Sequence, residues 1–268
     1  MAPKLRRAIV KLLARAGYSV RKVAPGAVLV IDRDVVRGRW FDVEKGLGAY
    51  VAEQHVAHVL AMYRVNCVID VGANRGQYGR RLRRGGYDGH IVSFEPVRET
   101  FAKLQAEAAN DPRWTVHPYA LGAEEGTTSI NVVPGTMSSV LTPTAFGASR
   151  YAQLRDPATE EIEIRRLDGI LDDVLAPVAD PRPFLKLDTQ GYDLEVFRGL
   201  GERARELVGL QSEVGVMQIY EGTAPMPEAI AVYEAAGFGI TALHPVSRQS
   251  RTGRVVEFDC VMVRAELL

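Results

Sequence analysis

The sequence predicts an α/β protein built on a mostly parallel β-sheet with helices on both faces. Three observations predict it. Short apolar runs at residues 67–71, 90–94, 184–187 and 207–214 alternate with segments of helical spacing. These runs lack the in–out alternation of a half-exposed strand, as expected of strands buried on both faces. The 268 residues are 47% hydrophobic and 25% charged, with 25 Gly and 14 Pro, a make-up that fits one sizeable globular domain.

The elements follow in order. Residues 27–32 read as a short strand and 48–63 as a helix. The alternation then begins with strand 67–71, which ends at Gly72, and helix 77–84. Strand 90–94 and helix 98–109 come next, then strand-like runs at 114–119 and 127–133. A Ser/Thr/Gly/Pro-rich stretch at 134–149 reads as loop. Strand 161–165, helix 167–175, strand 184–187, helix 193–198, strand 207–214 and helix 227–236 complete the alternation. Strands 239–243 and 255–263 have no helix between them, so they are expected to pair antiparallel at the sheet edge. Residues 1–47 read as a basic N-terminal extension and 48–268 as one domain.

Composition excludes several classes. Thirty-three basic residues balance 33 acidic ones, so bulk charge offers nothing to nucleic acid. No base-flipping motif or aromatic-studded basic patch appears. Cys67 and Cys260 each lie in an apolar run, the setting of buried, reduced thiols, which excludes a disulfide scaffold. No stretch approaches the ~20 apolar residues of a membrane span, so a cytoplasmic protein is expected. One asymmetry stands out. Lys4, Arg6, Arg7, Lys11, Arg15, Arg21 and Lys22 precede the first acid, Asp32, and residues 4–16 place Leu5, Ile9, Leu12 and Leu13 near helical spacing. This arm lacks the apolar core and cleavage site of a secretory signal. Docking on its own domain, or on a second subunit in a homodimer, is the plainer expectation; contact with an anionic membrane surface is the alternative.

The chemistry concentrates at Val68-Ile69-Asp70-Val71-Gly72-Ala73-Asn74-Arg75-Gly76, an apolar strand entering a glycine turn that opens a helix. Glycines there let backbone approach a ligand. The next strand ends at Glu95, where an acid can accept both hydroxyls of a ribose. No GxGxxG is present, and a carboxylate at Asp70 would repel a pyrophosphate. S-adenosylmethionine has a ribose, an ammonium and a sulfonium but no phosphate, and so fits better. An NAD-dependent or nucleotide-sugar oxidoreductase on the same sheet is the rival enzyme; a non-catalytic scaffold using the basic arm is the rival of another class.

The chain resembles the FkbM-type S-adenosylmethionine-dependent methyltransferases. The resemblance rests on V-I-D-V-G-A-N-R-G-Q-Y-G (68–79), S-F-E-P (93–96), A-L-G (120–122) and S-S-V-L (138–141). It continues through F-L-K-L-D-T-Q-G-Y-D-L-E-V-F-R-G (184–199) to F-D-C-V-M-V-R (258–264). It implies the seven-stranded class I methyltransferase sheet and methylation of hydroxyls on sugars, polyketides or other natural products; a sugar, or a glycosylated natural product or glycolipid, is the acceptor expected here. It also implies cofactor contacts from Asp70, Gly72, Asn74 and Gly76 at the methionine end, Glu95 at the ribose, and Ala120 and Leu121 beside the adenine. Asp188 would face the sulfonium and the incoming hydroxyl. Gln190 stands where many members have an acid, so no acid–base role is assigned to it.

Methyl transfer to an alcohol needs alignment and removal of a proton. Asp188 and Glu213, acids at the ends of apolar strands, are candidate bases, and together could hold a divalent ion, although no metal site is assigned. His244 is the best-placed histidine. Loops 136–141 and 217–227 should cover the acceptor, with Ser138, Ser139, Gln218, Tyr220 and Glu221 as polar contacts suited to a carbohydrate.

Overall fold

A computed structural model describes residues 3–25 and 27–268. Positions 1, 2 and 26, and the side chains of Lys4, Leu5, Arg6 and Arg7 invoked for the basic arm, lie outside the described residues. The chain divides into two units, Met1–Tyr50 and Val51–Leu268.

The first unit holds helix α1 (Pro3–Arg15), strands β1 (Tyr18–Ala24) and β2 (Ala27–Asp32), and helix α2 (Arg33–Gly38). Helix α1 is the expected amphipathic segment. Gly17, at φ +91°, turns the chain into β1, which pairs antiparallel with β2. Asp32 caps α2 by accepting from the backbone N–H of Asp34 at 2.8 Å. Helix α3 (Trp40–Met62) begins before the expected residue 48. Gly46 and Gly48, poor helix formers, interrupted the pattern there.

The second unit continues with β3 (Cys67–Val71), α4 (Gln77–Arg84), β4 (His90–Phe94), α5 (Arg98–Ala108), β5 (Trp114–His117), β6 (Ala120–Leu121), β7 (Gly126–Val132), α6 (Ala145–Arg150), β8 (Ala158–Arg165), α7 (Leu167–Leu175), β9 (Pro183–Leu187), α8 (Asp193–Arg198), β10 (Gly209–Gly215), α9 (Met226–Ala235), β11 (Phe238–Arg248) and β12 (Val255–Arg264). Seven strands form one sheet in the order β11-β12-β10-β9-β3-β4-β5. Strands β3, β4, β5, β9 and β10 run parallel, while β12 opposes both β10 and β11. The last two strands therefore pair antiparallel as expected, with the reversed strand one place in from the edge. Strand order turns back between β3 and β9, and a crevice opens at their carboxyl ends.

Alternation along the strands sorts the core. Ile69, Val71, Phe94, Leu185 and Leu187 pack on one face with α7, α8 and α9. Val68, Ile91, Phe184 and Val261 pack on the other with Val56, Val59 and Leu60 of α3 and with Tyr78 and Leu82 of α4. Cys67 and Cys260 are buried and free, and burial pushes both thiols up to about 12. Two strand expectations need correction. The run 114–119 is broken by Pro118, which has no N–H for a ladder, and resumes as β6. Strands β7 and β8 leave the main sheet and form a three-stranded sheet with β6. Their polar alternation suits a sheet with one wet face. No helix among the described residues is long and apolar enough to cross a membrane.

Candidate active site

The turn after β3 is shaped by contact with β9. Gly72 sits at φ +77°, and a Cβ on it would lie 2.0 Å from the Asp188 carbonyl oxygen, so only glycine lets the two strand ends meet. The turn uses its own amides. The N–H groups of Gly72 and Ala73 both donate to Phe94 O at 3.0 Å, and that of Gly76 donates to Ala73 O. The Asn74 N–H donates to Glu95 Oε2 at 3.0 Å and the Arg75 N–H to Gln77 Oε1 at 2.9 Å. No amide from 72 to 76 is left for a phosphate, which disfavours a dinucleotide and suits a phosphate-free nucleoside.

Glu95, 6% exposed, also accepts from the Val97 N–H at 2.9 Å. Burial pushes its carboxyl up to about 7 against the pull of those two backbone bonds. Each oxygen keeps a second lone pair for another donor.

A cavity of about 350 Å³ opens beside this turn, within the size range of small-molecule sites. Gly72, Asn74, Glu95, Ala120, Leu121, Ser138, Ser139, Asp188 and Glu213, all singled out in the sequence, line it. Six other candidates do not. Asp70 is fully buried beneath it, with Lys186 Nζ 3.1 Å from Oδ1 and Ser93 Oγ donating to Oδ2 at 3.2 Å. Gly76, at φ +78°, opens α4 and packs under the Trp114 ring. Tyr220 is buried behind the wall, where its hydroxyl donates to Met137 O at 2.7 Å and lies 3.4 Å from Gln190 Oε1. Gln218 is exposed and donates to Thr223 O, and the exposed Glu221 holds its loop through its backbone N–H, which donates to Thr142 O. His244 lies inside β11, with its ring 5.4 Å from that of His55. Burial and His55 hold its pKa below the usual value.

At the carboxyl ends of β9 and β10 the charges are ordered. Asp188, 43% exposed at its side chain, has Lys186 Nζ 3.3 Å from Oδ2, and Gln190 Nε2 donates to Oδ1 at 3.0 Å. Gln190 Nε2 also lies 3.4 Å from Glu213 Oε2. Burial, then Glu257 and Asp188, push Glu213 well above the carboxylate range. Burial pulls the pKa of Lys186 down, but Asp188 and Asp70 outweigh it and keep the ammonium charged. Asp193 ties the site to the core. It accepts from Thr189 N–H at 2.7 Å and from Ser212 Oγ at 3.1 Å. The divalent ion left open by the sequence meets two carboxylates already bridged by an amide. No group of three His, Cys, Asp or Glu is disposed for a metal among the described residues.

Residues 70–229, more than half of the chain, match the model of the methyltransferase FkbM domain. The chain belongs to this family. Its sequence is similar to Methyltransferase 1 of Beauveria bassiana (strain ARSEF 2860), 22% identical over 193 residues that cover 66% of this chain and 74% of that one. It is also similar to Methyltransferase sdnD of Sordaria araneosa, 26% identical over 198 residues covering 65% and 74%. A solved magnesium protoporphyrin IX methyltransferase from Synechocystis PCC 6803 with bound SAM aligns at 12% identity and TM-score 0.45, covering 87% of this chain and 94% of that one. Membership of the FkbM family makes the chain an S-adenosylmethionine-dependent methyltransferase, and its strand order is that of the class I fold.

In this FkbM-family methyltransferase the sequence reading missed Lys186, Tyr78, Arg81 and Tyr192 as cavity-lining residues. Lys186 carried a signal, since a lone lysine in an apolar strand two residues before Asp188 must share that acid's face. Tyr192 lay within the matched central motif. Tyr78 and Arg81 project from α4, whose spacing did not separate cavity-lining from surface positions.

Proposed function

We propose that the protein transfers the methyl group of S-adenosylmethionine to a hydroxyl oxygen of a small polar acceptor, a sugar or a glycosylated natural product. The observation that carries this is Asp188, the acid at the carboxyl end of β9 whose side chain opens onto the cavity while Lys186 and Gln190 hold its two oxygens. A hydroxyl is barely ionised near neutral pH, so its proton must be taken as the new bond forms. Asp188 takes it, and Lys186 balances the charge. Glu213, whose pKa burial raises and whose Oε2 lies 3.4 Å from Gln190 Nε2, helps to hold that amide in place.

The cofactor supplies an already activated methyl carbon. Glu95 takes the ribose hydroxyls on its free lone pairs, and Ala120, Leu121, Phe94 and Ile130 offer an apolar slot for a base. Lys186 and Arg81 supply positive charge for the carboxylate of an amino-acid end. Asp70, enclosed under the turn, acts through Lys186. Thr136, Ser138, Ser139 and Gln190 give the remaining wall a hydroxyl-and-amide surface suited to a polyol.

The test is methyl transfer to a panel of hydroxyl, amine and carboxylate acceptors by wild type and Asp188→Asn. Hydroxyl acceptors alone are expected to react. Turnover in the variant should fall by about 100-fold or more, with S-adenosylhomocysteine affinity within about threefold, since the base is not the anchor. Wild-type turnover in Asp188→Asn overturns the role of Asp188, and transfer confined to amines overturns the hydroxyl reading.

A further inference from the structure

The first unit differs in surface chemistry from the rest of the chain. Met1–Tyr50 holds eleven basic and four acidic residues, net +7, so Val51–Leu268 carries −7. Eleven of the eighteen exposed large apolar side chains among the described residues lie in this unit, which is under a fifth of the chain. On α1, Ile9 and Val10 are exposed and Leu12 is 68% exposed, beside the exposed Lys11 and Arg15. On the hairpin, Val28 and Val30 are exposed, and Arg21 and Lys22 are exposed on the facing strand. Trp40, 51% exposed, and Phe41 open α3. Apolar side chains concentrated in this way mark a surface that meets something.

Two features choose the partner. Arg and Lys are interleaved with the apolar residues on the same short elements. At a bilayer the stem of a lysine or arginine lies on the apolar layer while its charged head reaches the headgroups. Net positive charge together with an exposed tryptophan suits an anionic headgroup layer, where aromatic rings settle and basic residues are attracted. We propose that the first unit is a peripheral membrane-binding arm. Helix α1 would lie in the plane of an anionic lipid surface, with Ile9 and Leu12 inserted and Lys11 and Arg15 at the phosphates. This is independent of which acceptor the enzyme methylates.

The experiment is co-sedimentation of the full chain with vesicles of phosphatidylglycerol or of phosphatidylcholine, with light scattering of the same samples without lipid. Binding is expected to phosphatidylglycerol only, and to weaken at least tenfold when ionic strength rises from about 0.1 M to about 0.5 M. The double variants Ile9→Ser/Leu12→Ser and Lys11→Glu/Arg15→Glu should each bind at least tenfold more weakly. All four side chains are exposed, so S-adenosylhomocysteine affinity and thermal midpoint should stay at wild-type values and certify folded protein. Equal binding to both lipids, no binding to phosphatidylglycerol, or variants that bind like wild type would each overturn the proposal. So would a dimer seen by light scattering that the Ile9→Ser/Leu12→Ser change dissolves, because a second copy would then own this surface.

Discussion

Lys186 Nζ stands 3.1 Å from Asp70 Oδ1, and the two side chains are 6% and 0% exposed. They meet because β3 and β9 pair in parallel with Asp70 opposite Lys186. Ser93 continues the row on β4 and Gln211 on β10, so a polar stripe crosses an otherwise apolar sheet face. Trp114 Nε1 donates to Ser93 Oγ at 3.0 Å and the Tyr78 hydroxyl to Gln211 Oε1 at 3.0 Å, which closes both ends. A buried pair of this kind is costly to break from one side, because the remaining charge has no water to turn to.

Lys186→Met is therefore expected to lower unfolding free energy by about 3–5 kcal/mol. Asp70→Asn combined with Lys186→Met should recover most of it, since no lone charge remains. Denaturant unfolding of the three proteins checks this. A single variant within about 1 kcal/mol of wild type would show that Asp70 and Lys186 are not held as a charged pair.

The pH dependence of cofactor binding should report Glu95. Burial lifts its folded pKa from 4.5 to about 7. Its contribution to the stability of the free protein is complete below pH 4.5 and is lost as pH rises through about 7. Ribose binding runs the opposite way, because two hydroxyl donors require the carboxylate. S-adenosylhomocysteine should bind about tenfold more tightly at pH 8 than at pH 6, and Glu95→Gln should bind weakly at both. Calorimetry at the two pH values decides it; a flat wild-type profile removes Glu95 from the ribose.

Much of the fold was legible because its signals are local. An apolar run, a glycine turn and a helix of fitting spacing fixed β3, α4, β4 and α7 close to their ends. Asp188 and Glu95 were legible as acids at strand ends. What escaped depends on register between distant segments. Nothing near residue 70 announces that Lys186 will cover Asp70. The strand ending expected at Leu243 runs on to Arg248 because β11 absorbs Pro245 through register shifts against β12, and this carries His244 into the sheet. Gln218 and Glu221 were chosen for loop polarity alone, which does not separate cavity-lining positions from solvent.

Gly72 offers a steric test. A methyl at this position would meet the Asp188 carbonyl at 2.0 Å, where backbone cannot yield cheaply, and φ +77° disfavours any side chain. Gly72→Ala should cost about 3 kcal/mol or more from strain and overpacking together. It should also lose S-adenosylhomocysteine binding, because the turn and the Asp188 strand end move apart. Thermal unfolding and calorimetry on the same sample read both; retained midpoint and affinity would mean that the two strand ends do not meet as closely as Gly72 requires.

Gln190 stands where its amide reaches two acids, 3.0 Å from Asp188 Oδ1 and 3.4 Å from Glu213 Oε2. It is held there at φ +55°, with Ser139 Oγ donating to its backbone carbonyl at 2.8 Å and the Tyr220 hydroxyl behind its side-chain oxygen. Gln190→Glu replaces that donor with a third acid in the same place. Like-charge repulsion and the lost bridge should lower stability at pH 8 by about 1–3 kcal/mol. Three carboxyl groups together form an oxygen site of the kind hard divalent cations take, so Mn²⁺ should restore the thermal midpoint of the variant and leave wild type unmoved. A wild-type midpoint that itself rises with Mn²⁺ would instead mean that Asp188 and Glu213 bind a cation in the native enzyme, with the amide of Gln190 turned aside to admit it.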